Sequence, residues 1–145
     1  MITVIQRVTQ AKVSVDKQTV SEIGEGMLIL LGIRKGDNAE KAQRLAERCT
    51  NMRIFEDADG QFNLSLKDIG GEALVVSQFT LLADTSRGRR PSFSHAEEPK
   101  KSEQLYNLFV QKLSACGIKT SAGVFGERML VSLDNNGPVT IIMEE

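Results

Sequence analysis

The run MLILLGI at residues 27–33 constrains the fold more than any other segment. Seven residues is an ordinary strand length, and a strand without polar side chains needs cover on both of its faces. No longer uncharged apolar stretch occurs in the chain, and a membrane span would need roughly 18 apolar residues. We therefore expect a sheet that is covered by other elements, and no membrane partner.

Short stretches of alternating or branched apolar residues predict further strands. These strands are expected at about 1–8, 12–16, 53–55, 73–79, 118–133 and 139–143. The stretch 118–133 contains Gly123 and Gly126, which predict an interruption, and a turn is expected at 134–137.

Two amphipathic patterns predict helices. Asp37 and Glu40 have the spacing of a capping box, so the first helix is expected over about 38–50. The second is expected over about 102–116 and ends before Gly117. Several strands with only two helices predict an α+β fold, in which the helices pack on a mainly antiparallel or mixed sheet.

Composition is that of an ordinary globular chain. The 145 residues suit one domain, 1–145, and 41% are hydrophobic and 26% charged. Eighteen Lys and Arg against nineteen Asp and Glu give a net charge of -1, which excludes a strongly basic nucleic-acid binder but allows a local patch. The N-terminal MITVIQRVTQ lacks the pattern of a signal peptide, so we expect a cytoplasmic protein.

The chain offers little for metal or nucleotide-cofactor chemistry. It has one histidine, His95, and two isolated cysteines, Cys49 and Cys116, which is too few ligands for the usual zinc motifs. The glycines at 24–26 and 70–71 do not have the spacing of a phosphate-binding loop. We therefore expect no metal and no cofactor, and we expect both cysteines to be buried thiols.

Residues 83–101 predict a long surface segment, because they contain two of the three prolines and no apolar period. Within it, residues 87–101 carry a net charge of +3, while the remainder of the chain carries -4. Arg87, Arg89 and Arg90 could hold a phosphate backbone, or they could belong to a solvated loop. The sequence leaves both interpretations open.

Two strings carry the strongest functional signal, SQFTL at 77–81 and NGPVT at 136–140. Both resemble the signature motifs of the D-aminoacyl-tRNA deacylase family, also described as D-tyrosyl-tRNA deacylases. The resemblance extends over essentially the whole chain. Further matching strings follow in the family's order: QRV at 6–8, the glycine at 32, RIF at 53–55 and RPSF at 90–93.

The resemblance implies a barrel-like fold and hydrolysis of the ester that joins a D-amino acid to the terminal ribose of tRNA. It also implies a homodimer in which the bond between Gly137 and Pro138 is cis and reaches into the partner's active site. There the main-chain carbonyls of Gly137 and Pro138 would leave no room for the side chain of an L-amino acid. Asn136 is expected beside them, and Arg7 is expected to hold the Gly-Pro turn in place. Glycine has no side chain to exclude, so glycyl-tRNA is an expected second substrate.

The same resemblance places the catalytic residues at Ser77, Gln78, Phe79 and Thr80. Backbone N–H groups of Phe79 and Thr80 are the expected oxyanion donors, and Gln78 is expected to contact the adenosine or the ester. Thr80 is the candidate nucleophile, but its sequence neighbours include no base. His95 could serve as one, although no nucleophile elbow accompanies it. The alternative is that the 2′-OH of the terminal adenosine activates water or assists the leaving group, with Thr80 in a positioning role. The resemblance favours this alternative, because it is the mechanism usually argued for the family.

Two other functions remain open at this point. One is a noncatalytic module that binds tRNA without turnover. The other is the family's animal paralogue, in which the Gly-Pro bond is trans and the pocket accepts L-alanine on the wrong tRNA. The intact SQFTL and NGP strings favour the standard deacylase over the paralogue. The noncatalytic module would be supported only if charged tRNA bound without being consumed.

Overall fold

The computed structural model describes residues 1–145 and contains eight strands, two α-helices and one 3-10 turn. The strands are β1 (Ile2–Val15), β2 (Gln18–Ile23), β3 (Gly26–Gly32), β4 (Arg53–Glu56), β5 (Phe62–Ser65), β6 (Glu72–Ser77), β7 (Lys119–Ala122) and β8 (Leu130–Glu144). The helices are α1 (Ala39–Asn51) and α2 (Pro99–Ala115), and the 3-10 turn is Phe79–Leu82. Neither α-helix is long and apolar enough to cross a membrane.

Six of the strands form one mixed sheet in the order β2-β1-β3-β6-β7, with β8 also paired to β1. β1 is antiparallel to β2, β3 and β8, whereas β3, β6 and β7 are mutually parallel neighbours. The sheet is a nearly closed barrel in which β8 pairs along one edge of β1, while the opposite edge pairs with β3 over Ile2–Val8 and with β2 over Ala11–Val15. α1 and α2 pack against each other over one face of this sheet, and the expected α+β fold with two packed helices is confirmed. β4 and β5 form a separate antiparallel hairpin.

β3 is buried on both faces, as its apolar sequence predicts. Met27, Ile29 and Leu31 point into the main core beneath the helices. Leu28 lies on the opposite face in a second, smaller core with Leu74 of β6. The alternation follows from the two-residue period of a strand, and every position of β3 except half-buried Leu30 is buried.

Glycine is required where β3 begins. A Cβ on Gly26 would lie 1.8 Å from the carbonyl oxygen of Glu72 in β6, whereas one on Gly24 would meet nothing within 4 Å. The close approach at Gly26 allows β3 and β6 to pair in parallel from that point. The same register brings Leu31 beside Ser77 at the far end of the two strands.

Several predicted boundaries in the sheet are wrong. β1 is continuous over the expected break at 9–11, and β2 was not predicted because its exposed, polar sequence shows no alternation. The expected turn at 134–137 lies inside β8, which pairs with β1 on both sides of it. The predicted strand at 73–79 ends at Ser77, where the 3-10 turn follows.

The helix starts also differ from the prediction. Asn38 caps α1 by accepting a hydrogen bond from the N–H of Lys41. Asp37 is unavailable for that role, because its buried carboxylate lies 2.8 Å from the amino group of Met1 and also accepts from the N–H of Arg34. α2 starts at Pro99, three residues before its expected start, because proline is compatible with the first turn of a helix.

Candidate active site

The SQF segment lies where the parallel strands end. β6 stops at Ser77, and the N–H of Gln78 still donates to the carbonyl of Leu31 at 2.8 Å. The first hydrogen bond of the following 3-10 turn runs from the N–H of Leu81 to the carbonyl of Gln78. The N–H groups of Phe79 and Thr80 precede that bond, so the turn itself provides them with no acceptor.

Thr80 has no base beside it. Its exposed hydroxyl accepts a hydrogen bond from the side-chain amide of Gln78, and no histidine or carboxylate contacts it. His95 makes no hydrogen bond to Thr80; its backbone carbonyl accepts from the N–H of Lys35. A threonine hydroxyl without a base is a weak nucleophile, and the surroundings of Thr80 suit a positioning role.

A pocket of about 480 Å³ opens beside this segment. Its wall combines the end of β6, the start of α2 and the connection between β7 and β8. The lining includes Ser77, Gln78, Phe79, Glu97, Phe125 and Met129. Such a mainly apolar cavity with a few polar groups is typical of a small-molecule or nucleotide site. Phe125 and Met129 were missed by sequence reasoning, since they lie in the predicted interruption of a strand.

Tyr106 connects two walls of the pocket. Its buried hydroxyl lies 2.9 Å from the carbonyl oxygen of Val75 in β6 and 3.3 Å from that of Gly123, which begins the β7–β8 connection. Its ring packs against Phe125 with a centroid distance of 5.8 Å. Burial raises the pKa of Tyr106 to about 12, so the hydroxyl remains a donor at neutral pH. The sequence predicts a helix around Tyr106 but does not indicate its role in the pocket wall.

Arg7 of β1 is buried and lies beside the NGP string. Its Nε donates to the carbonyl of Asn136 at 2.9 Å. The β4–β5 hairpin surrounds the rest of the guanidinium: Nη1 donates to the carbonyl of Ile54, Nη2 to the carboxylate of Glu56, and the ring of Phe62 lies 5.2 Å from its carbon. Nothing in the sequence identified these three hairpin contacts.

Gly137 and Pro138 form an exposed corner in β8, joined by a cis peptide bond. The register with β1 places four residues, 136–139, opposite Arg7 alone. The side chain of Asn135 closes the corner by accepting from the N–H of Val139 at 2.7 Å. Of the two neighbouring asparagines, the sequence singled out Asn136, which contributes its backbone carbonyl.

The corner and the pocket lie apart within one chain. Arg7 pairs with Met27 of β3, and Ser77 pairs with Leu31 of the same strand. These positions are four residues apart, or about 13 Å along the sheet. From β6 across β3 and β1 to β8 there are three strand spacings, or about 14 Å. One copy of the chain therefore does not bring the corner to its own pocket.

The fold is that of known deacylase-like structures. A solved structure described as "c-Myc DNA Unwinding Element Binding Protein" has a TM-score of 0.94 and 37% identity, and the match covers 100% of this chain and 99% of that one. A second, described as "Structural Analysis of a probable eukaryotic D-amino acid tRNA deacylase", has a TM-score of 0.85 over 98% of this chain and 97% of that one. At 17% identity, the second likeness shows the fold alone.

Sequence comparison gives the family. The family model described as "D-Tyr-tRNA(Tyr) deacylase" matches residues 4–144. A D-aminoacyl-tRNA deacylase of Roseiflexus sp. (strain RS-1) is 55% identical over 99% of this chain and 93% of its own length. One from Pasteurella multocida (strain Pm70) is 54% identical over 99% of both chains. The chain therefore belongs to the D-aminoacyl-tRNA deacylase family, whose members are hydrolases.

Proposed function

We propose that this protein, acting as one domain over residues 1–145, hydrolyses the ester between a D-amino acid and the terminal ribose of tRNA in the cytoplasm. The observation that carries the proposal is the pocket at the end of β6, which places an aromatic-lined cavity beside two backbone donors that the 3-10 turn leaves without an acceptor. Its volume and the rings of Phe79 and Phe125 suit a terminal adenosine. The reaction needs no cofactor, since water is the only co-reactant.

The backbone N–H groups of Phe79 and Thr80 are proposed to stabilise the oxyanion. When water attacks the ester carbonyl carbon, negative charge develops on the carbonyl oxygen, and fixed N–H donors lower the barrier to that step. The C–O bond to the ribose then breaks, the ribose oxygen takes up a proton, and the D-amino acid leaves as the acid. Ser77 and Gln78 line the pocket next to these donors.

The 2′-OH of the terminal adenosine is proposed to activate the water, because Thr80 has no base of its own. Thr80→Ala should then keep activity within about tenfold of the parent, whereas a substrate with a 2′-deoxy terminal adenosine should lose at least about a hundredfold, as expected for loss of general acid–base catalysis. Single-turnover rates with both substrates measure this. Thr80→Ser is the matched control. Loss of activity in Thr80→Ala with full activity on the deoxy substrate would assign the nucleophile to Thr80 instead.

A homodimer is proposed to bring the corner of one copy to the pocket of the other. The register aligns Leu30, Val4 and Ile142 in a row across β3, β1 and β8. Leu30 and Val4 are half-buried, and Ile142 is 66% exposed. The row lies between the corner and the end of β6 that forms the pocket. A two-fold axis through it would exchange the two, so that each site uses both copies.

In this arrangement the corner rejects L-amino acids by occupying the space that an L side chain needs. Gly137 and Pro138 are both exposed, and Arg7 donates to the carbonyl of the preceding residue, Asn136. D-tyrosyl-tRNA and glycyl-tRNA should be hydrolysed and L-tyrosyl-tRNA spared when each is incubated with the enzyme. Binding of charged tRNA without loss of any ester would instead indicate a noncatalytic module. Hydrolysis of the L ester as well would refute the proposed exclusion.

Mixing two variants tests the shared site directly. A corner variant, Pro138→Ala, should hydrolyse both D- and L-tyrosyl-tRNA, and a pocket variant, Gln78→Ala, should hydrolyse both poorly. After the subunits exchange in an equal mixture, half of the dimers are mixed, and the working pocket of each mixed dimer faces an intact corner. Hydrolysis of the L ester should therefore fall to about half of its value before exchange, while hydrolysis of the D ester is retained. Unchanged L hydrolysis, with subunit exchange confirmed by mass spectrometry, would place corner and pocket in separate functions.

A further inference from the structure

Residues 84–92 form a paired arm beside the pocket. Asp84 and Ser92 exchange two backbone hydrogen bonds, at 2.7 and 2.9 Å. Between them, residues 85–91 form an exposed loop. The arm therefore projects from the protein as a hairpin-like element with a defined base.

The base of the arm is joined to the pocket. Phe93, which follows Ser92, packs edge-on against Phe79 with a centroid distance of 5.0 Å. Ala96 is bridged to Arg34, and the N–H of Glu97 donates to the carbonyl of Ile33 at 2.9 Å. Ala96 and Glu97 both line the pocket. The position of the arm is thus fixed relative to the pocket.

The tip of the arm carries three cations without partners. Arg87, Arg89 and Arg90 are exposed, and none lies within salt-bridge distance of a carboxylate. The one acidic group on the arm, Asp84, is engaged instead with the N–H of Ser86 at 2.9 Å. Lys101, in the same basic stretch of sequence, is paired with Glu97. The tip of the arm therefore places three unpaired positive charges within four residues.

We infer that the three arginines of this arm bind phosphates of the tRNA strand that leads to the terminal adenosine. The inference rests on the proposed function, because it needs a nucleotide in the pocket. Half of the seven-residue loop, fully extended, would reach about 11 Å beyond the Asp84–Ser92 pair. A ligand that contacts both the pocket and the three arginines must continue out of the pocket as a negatively charged chain. Guanidinium groups suit phosphate because of their planar, paired donors.

The test separates phosphate binding from a change in the pocket. The triple variant Arg87→Ala, Arg89→Ala, Arg90→Ala is compared with a control that loses equal charge at exposed lysines outside the arm, Lys12→Ala, Lys17→Ala, Lys67→Ala. Two measurements are made: the Kd for uncharged tRNA between 50 and 200 mM salt, and the rate of hydrolysis of the D-tyrosyl ester of adenosine, which has no phosphate.

Three phosphate contacts to a single strand contribute a slope of about 2 to the dependence of log Kd on log salt. Over the fourfold change in salt, the parent and the lysine variant should therefore lose about 18-fold more affinity than the arginine variant. Hydrolysis of the adenosine ester should remain within about twofold in all three proteins. This pattern would support the inference.

Two results would overturn it. Equal salt slopes in the two variants would show that the arm does not bind phosphate. A parallel loss of tRNA affinity and ester hydrolysis would show that the substitutions disturb the pocket through Phe93. Because uncharged tRNA is the probe, binding is measured whether or not the ester is cleaved. A parent that binds tRNA but leaves D-esters intact would refute the proposed function and not the role of the arm.

Discussion

Replacing Gly137 by alanine should damage the corner more than an ordinary glycine replacement. Its φ of +131° lies outside the left-handed region that other residues adopt, and forcing alanine there costs about 1–3 kcal/mol. The new Cβ would also lie 2.8 Å from a methyl carbon of Val139 and 3.1 Å from Nη2 of Arg7. Displacing that guanidinium weakens its hydrogen bonds, each of which contributes about 1 kcal/mol.

Together these effects predict a loss of about 3 kcal/mol in the free energy of unfolding for Gly137→Ala. For a chain of this size the midpoint of thermal unfolding should fall by about 9 °C. Gly60→Ala is the matched control, because φ is +73° at Gly60 and a Cβ there meets nothing within 4 Å. Its expected cost is about 1 kcal/mol, from the left-handed backbone alone.

Two assays test this prediction, both at one protein concentration, because the unfolding midpoint of the proposed dimer would depend on concentration. Thermal unfolding gives the stability difference, and hydrolysis of D- and L-tyrosyl-tRNA gives the selectivity. We expect Gly137→Ala to lower the ratio of D to L hydrolysis, and Gly60→Ala to leave it unchanged. If Gly137→Ala and Gly60→Ala unfold at the same temperature and Gly137→Ala retains the parent's selectivity, the corner tolerates a Cβ and does not determine selectivity.

Three further predictions concern the sheet, the thiols and the pocket wall. Gly26→Ala should lower stability by at least about 3 kcal/mol in urea unfolding because its Cβ has no space, whereas Gly24→Ala should have almost no effect. At pH 8.5 iodoacetamide should modify half-buried Cys116 and spare Cys49, since burial raises the pKa of Cys49 to about 12 and keeps it a thiol; modification of both in the folded protein would contradict this. Tyr106→Phe should raise KM severalfold with little change in kcat, because it loosens the wall of the proposed adenosine site; an equal fall in kcat would mean that the proposed oxyanion donors move as well.

Local patterns in the sequence were sufficient to predict the elements that form the core. The apolar run at β3 identified a doubly buried strand, and the periodicity of α1 and α2 located both helices to within three residues. These patterns can be recognised in the sequence because the buried side chains of one element recur at regular, short spacings along the chain. The strand β2 lacks such a signal, since most of its side chains are exposed and its place in the sheet depends on pairing with β1.

The residues of the candidate site were also only partly predictable from the sequence. Short motifs were enough to name Ser77 to Thr80 and the Gly137–Pro138 corner, because each is contiguous in the chain. The groups that hold them come from distant segments: Tyr106 from α2 fixes the pocket wall, and the hairpin fixes Arg7 through the carbonyl of Ile54. Every residue has a backbone carbonyl, so the sequence does not indicate which carbonyls accept these hydrogen bonds. Such contacts become visible only in the structure.

The pairing of β1 with β8 has a consequence for the newly made chain. Ile2 pairs with Glu144, so the ladder joins the beginning of the chain to its end. Contacts between such distant segments form late, because the intervening chain must first be ordered. A growing polypeptide contains the SQF segment long before β8 has been synthesised, yet until then β1 keeps an open edge and the barrel is incomplete. Since β8 also carries the corner, the strand that completes the sheet also supplies the proposed means of discrimination, and a nascent chain that stops before β8 has neither.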